Sequence, residues 1–257
     1  MNKIERRMVA RLEDLRENHG VVEVKAEFES EGARLNELMR LKDISSRASL
    51  GIVLKIGGAE AIRDIHDALL LGVSTIVAPM VETDYALKKF LEAVKKHIPD
   101  DEDVNLAVNV ETGIACANFD KMIALPDAKK LSRITVGRVD LCESIGFGRQ
   151  KINSERIFAM TKAVCAKARN AGMGPTVGGA IDRESINFVK RLAAEGLIDR
   201  FETRKIVFDA KRGLRKIHEG LVKAAKFELN WLCNKHDYYF RTSLEDKERI
   251  RMIEDRL

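Results

Sequence analysis

At 257 residues, with 45% apolar and 33% charged side chains, the chain has a globular composition with material for a substantial core, and its 4 prolines exclude collagen-like and low-complexity classes. The 45 Lys and Arg against 40 Asp and Glu leave a net charge of +5. This excess is spread along the chain, so it allows an anionic substrate but argues against a nucleic-acid partner. No apolar run approaches the ~20 residues of a membrane helix. Residues 1–20 are charged throughout and lack the apolar stretch of a secretory signal. The expectation is a cytoplasmic protein with no membrane contact. Cys116, Cys142, Cys165 and Cys233 form no CxxC pair and read as reduced thiols.

Taken in chain order, residues 1–18 read as a charged helix. β-Branched runs at 21–28, 51–56, 74–79, 105–110, 133–137, 175–179 and 203–208 then alternate with amphipathic stretches such as 59–71 and 154–171. Gly72, Gly172 and Gly196 stand just before runs, where glycine closes a helix. Strands alternating with helices imply parallel βαβ units. Their number, and the lack of a glycine-rich phosphate turn after the first run, predict a (β/α)8 barrel of TIM type and not an open doubly wound sheet. The eighth strand is not identified; it lies in the N-terminal segment or is absent. Residues 209–257 contain no strand. Leu214, Ile217, Leu221, Ala224, Ala225 and Leu229 recur at helical spacing, residues 234–242 break the pattern, and a short charged helix closes the chain. The barrel is therefore assigned to 1–208 and a C-terminal helical arm to 209–257. The arm is either a last barrel helix with an extension or a segment that packs on a neighbouring subunit.

The active site of such a barrel lies at the C-terminal ends of its strands. Glu27 and Glu29 end the first run and Lys55 the second. Glu82 follows the third, Asn109 and Glu111 end the fourth, Arg138 and Asp140 follow the fifth, and Thr176 with Gly178 and Gly179 mark the sixth. Arg204 and Lys205 lie in the seventh, with their direction open. His19, His66, His97, His218 and His236 all fall in helices or the tail, which disfavours a three-histidine zinc site. Oxygen donors without imidazole suit a hard ion such as Mg2+ or Mn2+. Glu111 and Asp140 are one βα unit apart, so neighbouring strands bring them together above the mouth. Spacing alone leaves a rim salt bridge as the alternative. Lys55 reads equally as an ion-pair partner of Glu27 or Glu82. Glu82 reads equally as an acid opening a helix that Thr83 or Asp84 caps.

Three segments carry a resemblance. Ala78-Pro79-Met80-Val81-Glu82-Thr83 followed by Ala86-Leu87, Val110-Glu111-Thr112-Gly113-Ile114-Ala115 with Asn118, and Val136-Gly137-Arg138-Val139-Asp140-Leu141 followed by Ser144-Ile145-Gly146 resemble three successive strand motifs of the HpcH/HpaI aldolase and citrate lyase β-subunit family. They occur in the family's order, and the likeness extends over about residues 21 to 209. The resemblance implies a barrel that binds pyruvate, phosphoenolpyruvate or a related 2-oxo acid on a divalent metal. Glu111 and Asp140 match the family's metal ligands. Asn109 falls where members often place a polar group near substrate. Lys55 stands where an arginine usually contacts the oxo acid, and Gly178 and Gly179 match small residues of a later strand.

The implied chemistry is that of a class II aldolase or lyase acting through a metal-stabilised enolate, with an aldehyde as partner substrate. Lys55 or Arg138 would add charge stabilisation and a carboxylate such as Glu27, Glu29 or Glu82 would act as base. The family also implies a homo-oligomer, here through the C-terminal helices. The sequence departs from the family at Phe28, where the aldolases carry a proton-transferring histidine, and at Lys55, since lysine lacks the planar fork of arginine. Those departures keep a second expectation open, a repurposed barrel that binds a metal–carboxylate ligand without aldol chemistry.

Overall fold

In the computed structural model, which describes residues 1–257, eight strands close in chain order into a barrel. They are β1 (Val21–Glu27), β2 (Gly51–Lys55), β3 (Thr75–Ala78), β4 (Asn105–Val110), β5 (Leu131–Gly137), β6 (Gly174–Gly178), β7 (Arg200–Glu202) and β8 (Ile206–Asp209). α1 (Lys3–His19) precedes the barrel. Around it run α2 (Leu35–Arg47), α3 (Ile62–Leu71), α4 (Asp84–His97), α5 (Gly113–Ile123), α6 (Arg138–Ser144), α7 (Glu155–Asn170) and α8 (Ile186–Ala194). α9 (Ala210–Gly213) and α10 (Ile217–Glu254) follow β8. Thr83 caps α4 and Thr112 caps α5, each through its side-chain oxygen. Gly72 closes α3 in the left-handed conformation, at φ +57°.

β1 to β7 are parallel, but β8 is antiparallel to both β7 and β1. The seventh run expected at 203–208 is a turn and most of β8, and the strand not identified is neither N-terminal nor absent but β7, just before that run at Arg200–Glu202. Only Thr203, Arg204 and Lys205 separate β7 from β8, enough for a hairpin but far short of the dozen or more residues a parallel return needs. β8 therefore carries the chain down from the mouth to the base of the barrel. α10 climbs back beside α1, with Arg11 donating to the Lys226 carbonyl at 2.7 Å.

The break expected at residues 234–242 is also absent: α10 is one helix of 38 residues, about 57 Å at 1.5 Å per residue. No glycine or proline occurs after Gly220. The poor helix formers at 234–242 each cost only tenths of a kcal/mol, which does not end a helix. Its first half packs on the barrel through Leu221, Ala224, Phe227 and Trp231. Residues 241–257 are exposed.

The main core, a cluster of 61 buried residues, lies between sheet and helices; the barrel's inside holds only a four-residue apolar layer of Val53, Val77, Ala107 and Val207. β1 shows why. Val24 and Ala26 face the helices, while Glu23, Lys25 and Glu27 alternate with them and point inward. Glu23, near the base, reaches across the interior to Arg133 of β5 at 2.7 Å and to Arg200 of β7. The interior is thus an apolar layer between two charged ones. All four cysteines are free thiols, and no helix is long and apolar enough to cross a membrane.

Candidate active site

A cavity of about 660 Å3 opens at the C-terminal ends of the strands, lined among others by Lys25, Glu27, Glu29, Lys55, Asn109 and Asp140. Lys25 lies 3.0 Å from Glu27 and 2.6 Å from Glu202. Lys55 lies 2.8 Å from Glu29 and 3.8 Å from Glu27. Burial works to raise the Glu27 carboxyl, but the charges of Lys25 and Lys55 and a Ser30 hydroxyl outweigh it and hold the pKa at about 2. Burial would lower Lys25; the two glutamates instead hold it above its ordinary value. Lys55 is raised for the same reason, against burial, by Glu27, Glu29 and Glu111. Glu27, which the sequence offers as a base, is thus held as an anion between two lysines.

Glu111 is built differently. Its side chain turns back against Gly137, where an added Cβ would lie 2.6 Å from Oε2, so only glycine fits opposite it. The Met80 N–H donates to Oε1 at 3.0 Å and the Asn109 amide donates to Oε2 at 3.0 Å. Met80 adopts φ +52°, a conformation costly for a non-glycine residue, and this aims its N–H at the carboxylate. Burial pushes the Glu111 carboxyl up; Lys55 and the Met80 N–H oppose it, and the charge of Asp140 adds to it. Asp140 itself is exposed in the first turn of α6. Nowhere do three or more His, Cys, Asp or Glu side chains converge as an all-protein metal site. The mouth offers two oxygen-donor side chains without a cation, a set that suits a hard ion completed by water and substrate oxygens.

Other candidates fall elsewhere. Arg138 is fully buried behind the mouth. It donates to the carbonyls of Gly178 at 3.1 Å and Gly179 at 2.7 Å, to Asn153 Oδ1 at 2.7 Å and to Ser185 Oγ at 3.1 Å, and it stacks on Phe188. Although burial lowers its pKa to about 10, it stays cationic at neutral pH. Arg138 is a clamp between two loops and does not face the cavity as a catalytic cation. Gly178 and Gly179 do line the cavity. Gly179, at φ +80°, admits no side chain, since a Cβ would sit 2.6 Å from the Arg138 nitrogen. Glu82 does not line the cavity; its carbonyl accepts a bond from Asn118 at 3.0 Å. Phe28 packs against the main core, so nothing at that position replaces the histidine.

Sequence reasoning missed Lys25, Glu202 and Glu228. Glu228 comes from α10 and lines the mouth, its carboxyl raised by burial against the pull of Arg204 and Lys205. Nothing local in the sequence could place it there. Arg204 lies in the hairpin turn at the mouth, 3.4 Å from Glu27.

Over residues 33–191 the chain matches the family model described as HpcH/HpaI aldolase/citrate lyase. That span is more than half of the chain, and the chain belongs to this family. No curated protein matches the sequence. Among solved structures, an HpcH/HpaI aldolase/citrate lyase family protein from Burkholderia cenocepacia is 15% identical with TM-score 0.59, over 95% of this chain and 99% of that one. The citrate synthase SbnG is 13% identical with TM-score 0.59, over 84% and 97%. An HpcH/HpaI aldolase from Desulfitobacterium hafniense is 13% identical with TM-score 0.56, over 70% and 75%. Likeness at these identities is likeness of fold.

Proposed function

We propose that the chain is a divalent-metal-dependent carbon–carbon lyase or aldolase acting on pyruvate or a related 2-oxo acid. Glu111 carries this reading. Six acidic side chains are buried: Glu5, Glu23, Glu27, Glu37, Glu111 and Glu202. Five of them are ion-paired to lysine or arginine. Glu111 receives only neutral N–H donors, and Asp140 beside it is also without a cation. Buried carboxylates are kept ionised by pairing or by a metal. Glu111 and Asp140 would hold Mg2+ or Mn2+, which would supply a Lewis acid for the oxo acid's enolate.

The protein's own part is positioning and charge. The Lys55 ammonium, fixed by Glu27 and Glu29, faces the cavity and suits the substrate carboxylate. In the synthetic direction a proton leaves the methyl carbon, that carbon bonds to the aldehyde carbon, and the aldehyde oxygen takes up a proton. Glu228, whose burial raises its proton affinity, suits the proton-handling role better than Glu27. The test is a thermal shift with Mg2+ or Mn2+, with and without oxalate as an enolate mimic, together with deuterium exchange at the pyruvate methyl group. A metal-dependent oxalate shift with exchange supports the reading. A shift without exchange supports the repurposed barrel. Lys55→Ala should weaken oxalate binding by about tenfold or more with a smaller effect on the metal; equal loss of both makes Lys55 a structural ion pair.

We also propose a homo-oligomer assembled through α10, whose free half exposes Phe240, Leu244, Ile250 and Ile253. Light scattering should report a dimer or larger that Leu244→Glu/Ile253→Glu dissociates; a wild-type monomer sinks the idea.

A further inference from the structure

A second cavity, of about 580 Å3, lies at the end of the barrel opposite the mouth, where β5, β6 and β7 begin and β8 ends. Arg133, Arg200 and Lys211 line it. The two arginines share one carboxylate. Both Nη1 atoms donate to the same oxygen of Glu23, Oε2, while its Oε1 accepts from Ser74 at 2.7 Å and Thr75 at 3.3 Å. Neither guanidinium makes another hydrogen bond. Their remaining nitrogens are not sealed inside the protein, since the only buried side-chain polar atoms without a partner are His19 Nδ1, Ser154 Oγ and Thr161 Oγ1. Burial lowers the Arg200 pKa against the pull of Glu23, and the charge of Arg133 adds to the lowering. Two guanidinium groups on one carboxylate are one negative charge short.

The other carboxylates of the cavity do not make up the difference. Asp199 is taken by Arg169 at 2.7 Å. Asp209 accepts the Arg212 backbone N–H at 2.7 Å, with the Arg212 guanidinium 3.7 Å away. Lys211 is exposed and forms no ion pair. Around the cavity five cations thus meet three carboxylates, an excess of two positive charges. Gly174 lines the cavity without a side chain; a Cβ there would stand 3.0 Å from Asp199 Oδ2 and 3.7 Å from Arg133 Cγ. Space is therefore left beside the arginines, and a charge is missing from it.

We propose that this basal cavity binds a phosphate group between Arg133, Arg200 and Lys211. A phosphate ester carries about −1.5 to −2 at neutral pH, which matches the unanswered charge. Its oxygens accept from two guanidinium groups at once, and the ammonium of Lys211 adds a point charge. The volume falls in the range of small-molecule sites, roughly 300–1,000 Å3, so there is room for more than the bare ion. The apolar layer of Val53, Val77, Ala107 and Val207 separates this end of the barrel from the mouth. The site therefore stands whether or not the chain is an aldolase.

Calorimetric titration of the metal-free protein with inorganic phosphate and with glycerol 3-phosphate, at constant ionic strength, decides it. Saturable binding is expected in the wild type. Arg200→Met leaves Glu23 paired with Arg133 and removes the unmatched guanidinium. Lys211→Glu puts a like charge beside the phosphate at an exposed position. Each should weaken binding at least about tenfold. Lys55→Ala, at the mouth, should leave it unchanged. Tighter binding of the ester supports the site and assigns it to an organic phosphate; equal binding supports it and assigns it to the free ion. No saturable binding of either overturns the inference. So does undiminished binding in Lys211→Glu or in a folded Arg200→Met, and so does a loss in Lys55→Ala, which would put the anion at the mouth. Should Arg200→Met not fold, Lys211→Glu decides alone.

Discussion

Glu111→Gln should abolish metal-dependent oxalate binding while leaving the metal-free protein at least as stable as wild type. The two effects have one cause. Burial raises the pKa of Glu111, so the folded state disfavours its ionised form, and that charge subtracts from stability at neutral pH unless a cation joins it. Glutamine removes the charge, keeps an acceptor for the Met80 N–H, and lets Asn109 turn its oxygen toward the new amide. In the wild type, ligand at 100 times its dissociation constant adds about 2.7 kcal/mol. That is a rise of roughly 5–10 °C at 2–4 °C per kcal/mol for a chain of this size. The Gln variant should show no such rise. Outer-shell partners of metal ligands already cost about 10–100-fold, so losing a ligand should cost at least about 100-fold. Asp140→Asn should lose the same response without the gain in metal-free stability, because Asp140 is exposed and bears no desolvation cost. If Glu111→Gln still bound Mg2+ and oxalate like wild type, the metal would have to sit elsewhere.

The alternation of runs makes the barrel legible, and the strand-end rule alone brings Glu27, Lys55, Asn109, Glu111 and Asp140 to one mouth. What escaped did so for physical reasons. Thr203, Arg204 and Lys205 form a hairpin turn without the glycine or asparagine that usually announces one, so they read as part of the strand that follows, and β7 before them is three residues with no β-branched side chain to mark it. Residues 234–242 look unlike a helix by composition, yet without glycine or proline nothing stops α10 once its first half is docked. Arg138 follows a strand end, but α6 begins at that residue and turns the side chain between two loops. Lys25 and Glu202 were missed because barrel interiors are usually apolar. The charged alternation of Glu23, Lys25 and Glu27 was the available clue: a strand between two buried layers has no solvent face on which to spend three charges.

Glu23→Ala should cost about 3–5 kcal/mol, the range for removing one partner of a buried ion pair. At 2–4 °C per kcal/mol this is a fall in Tm of roughly 10 °C or more. Glu23 is buried at the base, bonded to Arg133, Arg200 and Ser74. Without it two guanidinium groups face each other inside the barrel. Burial works to raise the Glu23 carboxyl, but Arg133 and Arg200 hold it below its ordinary value of 4.5. Its stabilising share is therefore complete above the ordinary carboxylate range and is lost as pH falls through the lower folded-state value. Wild type should lose Tm on acidification below about pH 4.5 more steeply than Glu23→Ala does. Replacing the set together, as Glu23→Leu/Arg133→Met/Arg200→Met, should recover most of the loss, since apolar residues of similar volume carry no desolvation cost. The apolar layer of Val53, Val77, Ala107 and Val207 separates this cluster from the mouth, so the Glu23→Ala protein that remains folded should keep its metal-dependent oxalate shift. A variant with unchanged Tm, or a triple variant no better than the single one, would mean that the base is held by its backbone and helix packing and not by these charges.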